Sequence, residues 1–163
     1  MKTRAYLDIE TTGLSKYRCD ITIIGIGIEK AGKVEVIQLI GRRICEYNLL
    51  KVLRGVNRIY TYNGSRFDLA FIKTKLAVDL KQNFIHTDLM YNCWKHNLKG
   101  GLKAVEKRLG IARKLTDMNG WIAVKLWWDY CNNNDLKALK KLLDYNAEDV
   151  VNLRTLRLKL LVD

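Results

Sequence analysis

The chain has 163 residues, 48% of them hydrophobic and 28% charged, with four Cys and no Pro. That suffices for one domain with a substantial core, and it excludes a disordered, collagen-like or disulfide-framework protein. A net charge of +12 points to a polyanionic partner, because surface Lys and Arg release counterions from a phosphate backbone.

Met1-Lys2-Thr3-Arg4 leads straight into a short apolar run holding two acids, which reads as neither a signal peptide nor a membrane span. Residues Arg4 to Glu10 alternate. Ala5, Leu7 and Ile9 share one face and Tyr6, Asp8 and Glu10 the other, as in a β-strand. Thr11-Thr12-Gly13 is a turn. Ile21 to Ile28 forms a second strand, Lys30 to Lys33 a hairpin turn, and Val34 to Ile40 a third strand, so the chain opens as an antiparallel meander. Cys45 to Arg54 is predicted to be a short helix. Arg58 to Tyr62 is a fourth strand closed by Asn63-Gly64, followed by a helix over Asp68 to Leu76 and a short fifth strand over Asn83 to Thr87. The rest reads as helical, in segments centred on Met90, Val105 and Val124. A last helix runs from Asp135 to Leu161, with Leu136, Leu139, Leu143, Val150, Leu153, Leu156 and Leu160 as its apolar stripe. This order predicts an α/β fold in a single domain over 1–163. Its mixed five-stranded sheet, three antiparallel strands and then parallel strands, is flanked by helices.

Cys19, Cys45, Cys93 and Cys131 show no paired spacing and read as reduced thiols of a cytoplasmic protein. Cys93 and His96 have no second half to complete a zinc site.

Asp8 and Glu10 stand two apart on a strand, so their side chains share a face at roughly 6.6 Å. On a central strand they would repel and resist desolvation, and a cation resolves both problems. A bare Asp-x-Glu is common, however, and an exposed edge strand explains it more simply. Asp68 falls at the end of the fourth strand or in the first turn of the next helix, where N-capping and metal binding are compatible roles. Tyr145 and Asp149 lie on one helical face, about 6 Å apart along the axis. Between Leu143 and Val150 the aliphatic rhythm lapses, then resumes, so that stretch lines something polar.

In this order the acids carry a resemblance. They are Asp8 and Glu10 in Leu7-Asp8-Ile9-Glu10-Thr11-Thr12-Gly13-Leu14, Asp68 closing Tyr62-Asn63-Gly64-Ser65-Arg66-Phe67-Asp68, and Asp149 in Tyr145-Asn146-Ala147-Glu148-Asp149-Val150. The chain resembles DEDD-superfamily 3′→5′ exonucleases of ribonuclease H-like fold, especially the YprB-like predicted exonucleases. His86-Thr87-Asp88-Leu89 and Leu102 to Ile111 look like linking elements of that family, and the likeness runs from Tyr6 to about Leu156.

The resemblance implies hydrolysis of DNA or RNA from the 3′ end to nucleoside monophosphates, with two divalent cations, Mg²⁺ or Mn²⁺. Asp8 would bridge both ions, Glu10 and Asp149 complete the first site, and Asp68 hold the second. Tyr145 places the chain in the tyrosine subclass and would orient the attacking water, although Thr-Thr-Gly-Leu is commoner among histidine members. Substrate contacts fall on Thr11, on Leu14 against the terminal base, on Asn63 and Phe67 in the second motif, and on Lys103 and Lys107. Lys99, Lys103 and Lys107 are spaced four apart and predict one helical stripe, with Lys137, Lys140 and Lys141 as a second cluster. Each serves equally well as a solvated face. At least two of Trp121, Trp127 and Trp128 are expected in the core, and His86 is expected to be hydrogen-bonded. The alternatives are a structure-specific endonuclease of the same fold and a nucleic-acid-binding module that does not cut. No membrane partner is expected.

Overall fold

The computed structural model describes residues 3–163. Strand β1 (Thr3–Thr11) is covered on both faces, with Ala5, Leu7 and Ile9 in one core and Tyr6 in the other. It lies at the centre of a five-stranded sheet of order β3-β2-β1-β4-β5. β2 (Ile21–Lys30) pairs antiparallel with it on one side and β4 (Val56–Thr61) parallel on the other. β3 (Lys33–Ile40) continues the meander and β5 (Ile85–Asp88) pairs parallel with β4. The expected mixed sheet is therefore present, and the two acids stand on its central strand.

After a 3-10 turn at Gly41–Arg43, α1 (Glu46–Val52) and α2 (Asp68–Leu76) cover one face, burying Leu49, Leu53, Leu69, Phe71 and Ile72 against the strands' Ile and Leu side chains. α3 (Leu80–Asn83) is a single turn. On the other face α4 (Leu89–Lys95), α5 (Leu102–Arg108) and α7 (Leu136–Lys159) enclose Tyr6, Tyr60, Leu89, Cys93, Val105, Val150, Leu153 and Leu156. α6 (Gly120–Asn133) packs on the N-terminal half of α7. Among the described residues no helix is long and apolar enough to cross a membrane.

Two elements depart from expectation. Asp79 caps Lys81 N–H at 3.1 Å and starts α3, so β5 begins at Ile85 rather than at Asn83. One helical turn is too short to leave a periodic signal. In α7, Leu136 is 65% exposed and Leu142 is fully buried instead. The first turns of this helix pack on α6 rather than on the sheet, and their inward face carries Ala138, Leu142 and Tyr145.

α7 is fixed to the sheet near its C-terminus and at its middle. Near its C-terminus Arg157 Nε donates to Tyr6 Oη at 2.7 Å, and Tyr6 Oη donates to Glu29 Oε2 at 2.8 Å. Arg154 Nε reaches Glu29 Oε1 at 3.0 Å. Near its middle the helix sits directly on β2, because Gly25 and Gly27 present no side chain. A Cβ at Gly25 would lie 2.2 Å from Asn146 Oδ1, and one at Gly27 would lie 2.7 Å from Val150. Gly25 pairs with Asp8 across the ladder, so this notch seats Asn146 over Asp8. Gly25→Ala is expected to lower stability by about 1–3 kcal/mol, the usual cost of overpacking. A drop in the urea midpoint with an unchanged m-value would show it.

Candidate active site

The parallel pairing of β1 with β4 ends at Tyr6 opposite Tyr60. Beyond that point β1 keeps only β2 as a strand partner, and its Ile9 N–H donates to Asp68 Oδ1 at 3.0 Å. Asp68 is the first residue of α2 and does not cap it; the N-cap position is Phe67, whose side chain makes no capping bond. The loop that delivers Asp68 is held by Asp88 at the end of β5. The Asp88 carboxylate accepts from Asn63 N–H at 2.8 Å, Ser65 N–H at 3.0 Å and Met90 N–H at 3.1 Å. Asn63 sits in the left-handed region with φ 60°, which Asn tolerates better than most residues. His86 Nε2 meets Thr61 Oγ1 at 2.9 Å, the hydrogen-bonded role expected of it.

Carboxylate oxygens of Asp8, Glu10 and Asp149 lie within 4.8 Å of one another. Burial, then mutual repulsion with Asp149 and the other acids, holds Asp8 and Glu10 well above the usual carboxylate range. Burial pushes Asp68 up to about 7 and Asp149 up to about 6, the latter restrained by Arg113. Four crowded, desolvated acids with all-oxygen donor sets fit a hard divalent cation, which would remove the repulsion that raises them. Asp68, engaged with Ile9, stands outside the close set of three, but its charge is felt by both Asp8 and Glu10.

Asp8 and Asp149 are held from behind. Asn146 Nδ2 donates to Asp8 Oδ2 at 3.0 Å, and Gln38 Nε2 from β3 donates to Asn146 Oδ1 at 2.9 Å. Arg113 donates to Asp149 Oδ1 and, at 2.7 Å, to Glu106 Oε2. Asn152 Nδ2 donates to Glu106 Oε1 at 3.0 Å. Glu106 is wholly buried. Lys103 Nζ stands 4.8 Å from the centre of the Tyr145 ring and is buried without a hydrogen-bond partner among the described residues. Burial and the nearby Arg113 lower its pKa. Burial followed by Asp149, Glu10 and Asp8 raises that of Tyr145 far above its ordinary value, so its hydroxyl keeps its proton and acts by hydrogen bonding.

A groove of about 340 Å³ opens beside Glu10, walled by Thr11, Leu14, Phe67, Trp121 and Val124. Leu14 is 86% exposed, with no place in the core, whereas Phe67 packs on Phe71 at 4.9 Å between ring centroids. Thr11 Oγ1 donates to Gly13 O at 2.7 Å and shapes the turn. The lysine stripe is not continuous: α5 begins at Leu102, after Gly100 at φ 114°, so Lys99 lies outside the helix. Lys103 alone of the three reaches the acids, while Lys107 is exposed. Lys140 and Lys141 pair with Asp144 and Asp117 on an exposed face. The tryptophan expectation is overturned, since Trp121 (86%) and Trp128 (46%) are exposed and only Trp127 is packed into a core.

Sequence reasoning missed Arg113 and Glu106. Glu106 carried a usable signal: it lies beside Val105 on the apolar side of α5 between Leu102 and Leu109, where a charge must be paired. Arg113 lies in an irregular segment with no periodicity to expose it.

The chain is 30% identical over 166 residues to the uncharacterized protein YprB of Bacillus subtilis (strain 168), covering 93% of this chain and 40% of YprB. It thus spans less than half the length of that relative. Among solved structures it resembles the family B DNA polymerase of the hyperthermophilic archaeon Pyrobaculum calidifontis. That likeness has a TM-score of 0.73 and 18% identity, over 99% of this chain and 25% of the polymerase. It also resembles Brucella melitensis NrnC with bound Mg²⁺, with a TM-score of 0.66 and 21% identity over 96% of this chain and 71% of NrnC. These likenesses establish a ribonuclease H-like fold, and the RNase_H superfamily model matches residues 5–161. With four acids gathered at the end of its central strand and that match running almost from end to end, the chain belongs to the RNase_H superfamily.

Proposed function

We propose that this chain is a DEDD-type 3′→5′ exonuclease that hydrolyses phosphodiester bonds of DNA or RNA and releases nucleoside monophosphates. The observation that carries the reading is the approach of Asp8, Glu10 and Asp149 oxygens within 4.8 Å beside an open groove. Asp8, Glu10, Asp149 and Asp68 would hold divalent cations, Mg²⁺ or Mn²⁺, the first three forming the close set. Bound there, such ions would lower the pKa of water and neutralise charge on the phosphate.

The chain's own side chains do the remaining work. Asn146 and Arg113 aim Asp8 and Asp149 and favour their ionised forms. Tyr145, protonated throughout, orients the attacking water. Lys103 Nζ, desolvated and without a hydrogen-bond partner, takes a non-bridging phosphate oxygen. Leu14 and Phe67 pack the terminal base and sugar, and Thr11 shapes the wall beside them. Asn63 acts through its left-handed turn, which sets Asp68. Lys107 attracts the strand at longer range. Relatives supply the context: one structure is described as Brucella melitensis NrnC bound to pGG.

End-labelled single- and double-stranded DNA and RNA, incubated with Mg²⁺ or Mn²⁺, should shorten stepwise from the 3′ end. Internal fragments would identify an endonuclease. Binding without cleavage in either metal would refute the nuclease and leave a binding module.

A further inference from the structure

α6 is apolar on nearly every side, yet among its residues only Ala123 is fully buried. The uncovered side bears Trp121 and Trp128. Seven residues apart, they point the same way within about 20° and are separated by roughly 10.5 Å along the axis. Val124 and Lys125 lie between them on that side, at three- and four-residue steps. The helix begins at the groove that Glu10 lines, to which Trp121 and Val124 contribute. It then runs away from the acids, bringing Trp127 close to Gly41 at the end of β3, next to the exposed Arg42 and Arg43.

We propose that the Trp121–Lys125–Trp128 side of α6 is a stacking platform for unpaired nucleic acid, carrying the nucleotides that trail behind the one in the active site. The inference deepens the nuclease reading and rests on it. Three observations choose this occupant. The platform is continuous with the groove at the acids, so whatever occupies it meets what enters the site. The spacing of the two indoles matches about three base steps of 3.4 Å, and aromatic platforms bind single strands without regard to sequence. Lys125 sits between the rings with a 77% exposed side chain, tied to Asp129 only by a loose 3.5 Å contact, which a phosphate displaces at little cost. A duplex hides its base faces and does not fit.

Fluorescence anisotropy with labelled oligo(dT) and oligo(U) tests this, in Ca²⁺ without Mg²⁺ or Mn²⁺, so that binding is read apart from cleavage. Trp128→Ala should weaken binding of strands of about twelve nucleotides by at least about fivefold, the low end for one lost base–aromatic stack, and leave strands of about three unchanged. Trp128→Phe should restore most of the loss. Trp121→Ala should weaken both lengths. If Trp128→Ala binds the long strand like wild type, or loses both lengths equally, or if wild type binds neither, the platform is overturned. Unaltered strand binding would leave this side of α6 to a protein partner. The nuclease reading fails independently, on absent product in Mg²⁺ and Mn²⁺.

Discussion

Asp8→Asn should make the metal-free protein more stable while removing its activity. Asn keeps the shape of Asp and still accepts from Asn146 Nδ2, which donates to Asp8 Oδ2 at 3.0 Å. It deletes a charge that burial first, and then repulsion from Asp149, Glu10 and Asp68, disfavours in the folded protein. Removing such a buried charge is worth about 1–3 kcal/mol. For a chain of this size that raises the melting temperature in EDTA by roughly 3–10 °C. If Asp8 serves both ions, as the resemblance implies, its loss should remove several kcal/mol of charge stabilisation, a rate decrease on the order of 10³-fold. The same crowding fixes the pH dependence of the wild type. Asp68, pushed up to about 7, keeps its proton when folded over a range where the unfolded chain has released it. The native state therefore binds more protons between about pH 4 and pH 7, and metal-free stability falls as pH rises through that window. Mg²⁺, binding only the folded site, should raise the melting temperature more at about pH 8 than at about pH 5. An Asp8→Asn protein that melts at or below the wild-type temperature in EDTA would contradict this account.

Arg113→Leu should be the most destabilising single change at the site. It leaves Glu106, wholly buried, with Asn152 as its one remaining side-chain partner. Breaking a buried ion pair from one side costs about 3–5 kcal/mol, whereas replacing both partners with apolar side chains is often nearly neutral. Arg113→Leu with Glu106→Leu should therefore recover most of the stability in urea unfolding. It should not recover Mg²⁺ affinity, because Asp149 still lacks the guanidinium that orients it; residues behind a ligand are typically worth about 10–100-fold in metal binding. Isothermal titration calorimetry with Mg²⁺ measures that directly. A double variant regaining both would make Arg113 a purely structural residue.

The arrangement at Asp8 was readable because strand alternation alone puts Asp8 and Glu10 on one face, and the sheet order then makes that face central. The lapse in aliphatic residues from Asp144 to Asp149 likewise marked the polar lining: Tyr145, Asn146 and Asp149 are all buried there. What escaped has a common cause. Periodicity reports which side of an element is covered when it has one large neighbour, as α7 has over Val150 to Leu156. α6 sits beside α7 and the groove, so its tryptophans read as core although two of them face outward. Arg113 depends on pairing between α5, α7 and an irregular segment, contacts at sequence distances no local pattern encodes.

The missing side chains at positions 25 and 27 have an evolutionary corollary. They fix the height at which α7 rides over β2, and so the gap between a carboxylate on the helix and two on the strand. Position 25 and position 146 should thus vary as a pair. A lineage acquiring Ala or Ser at the first would keep that gap only by shrinking the second, and would then need another donor for the carboxylate at position 8.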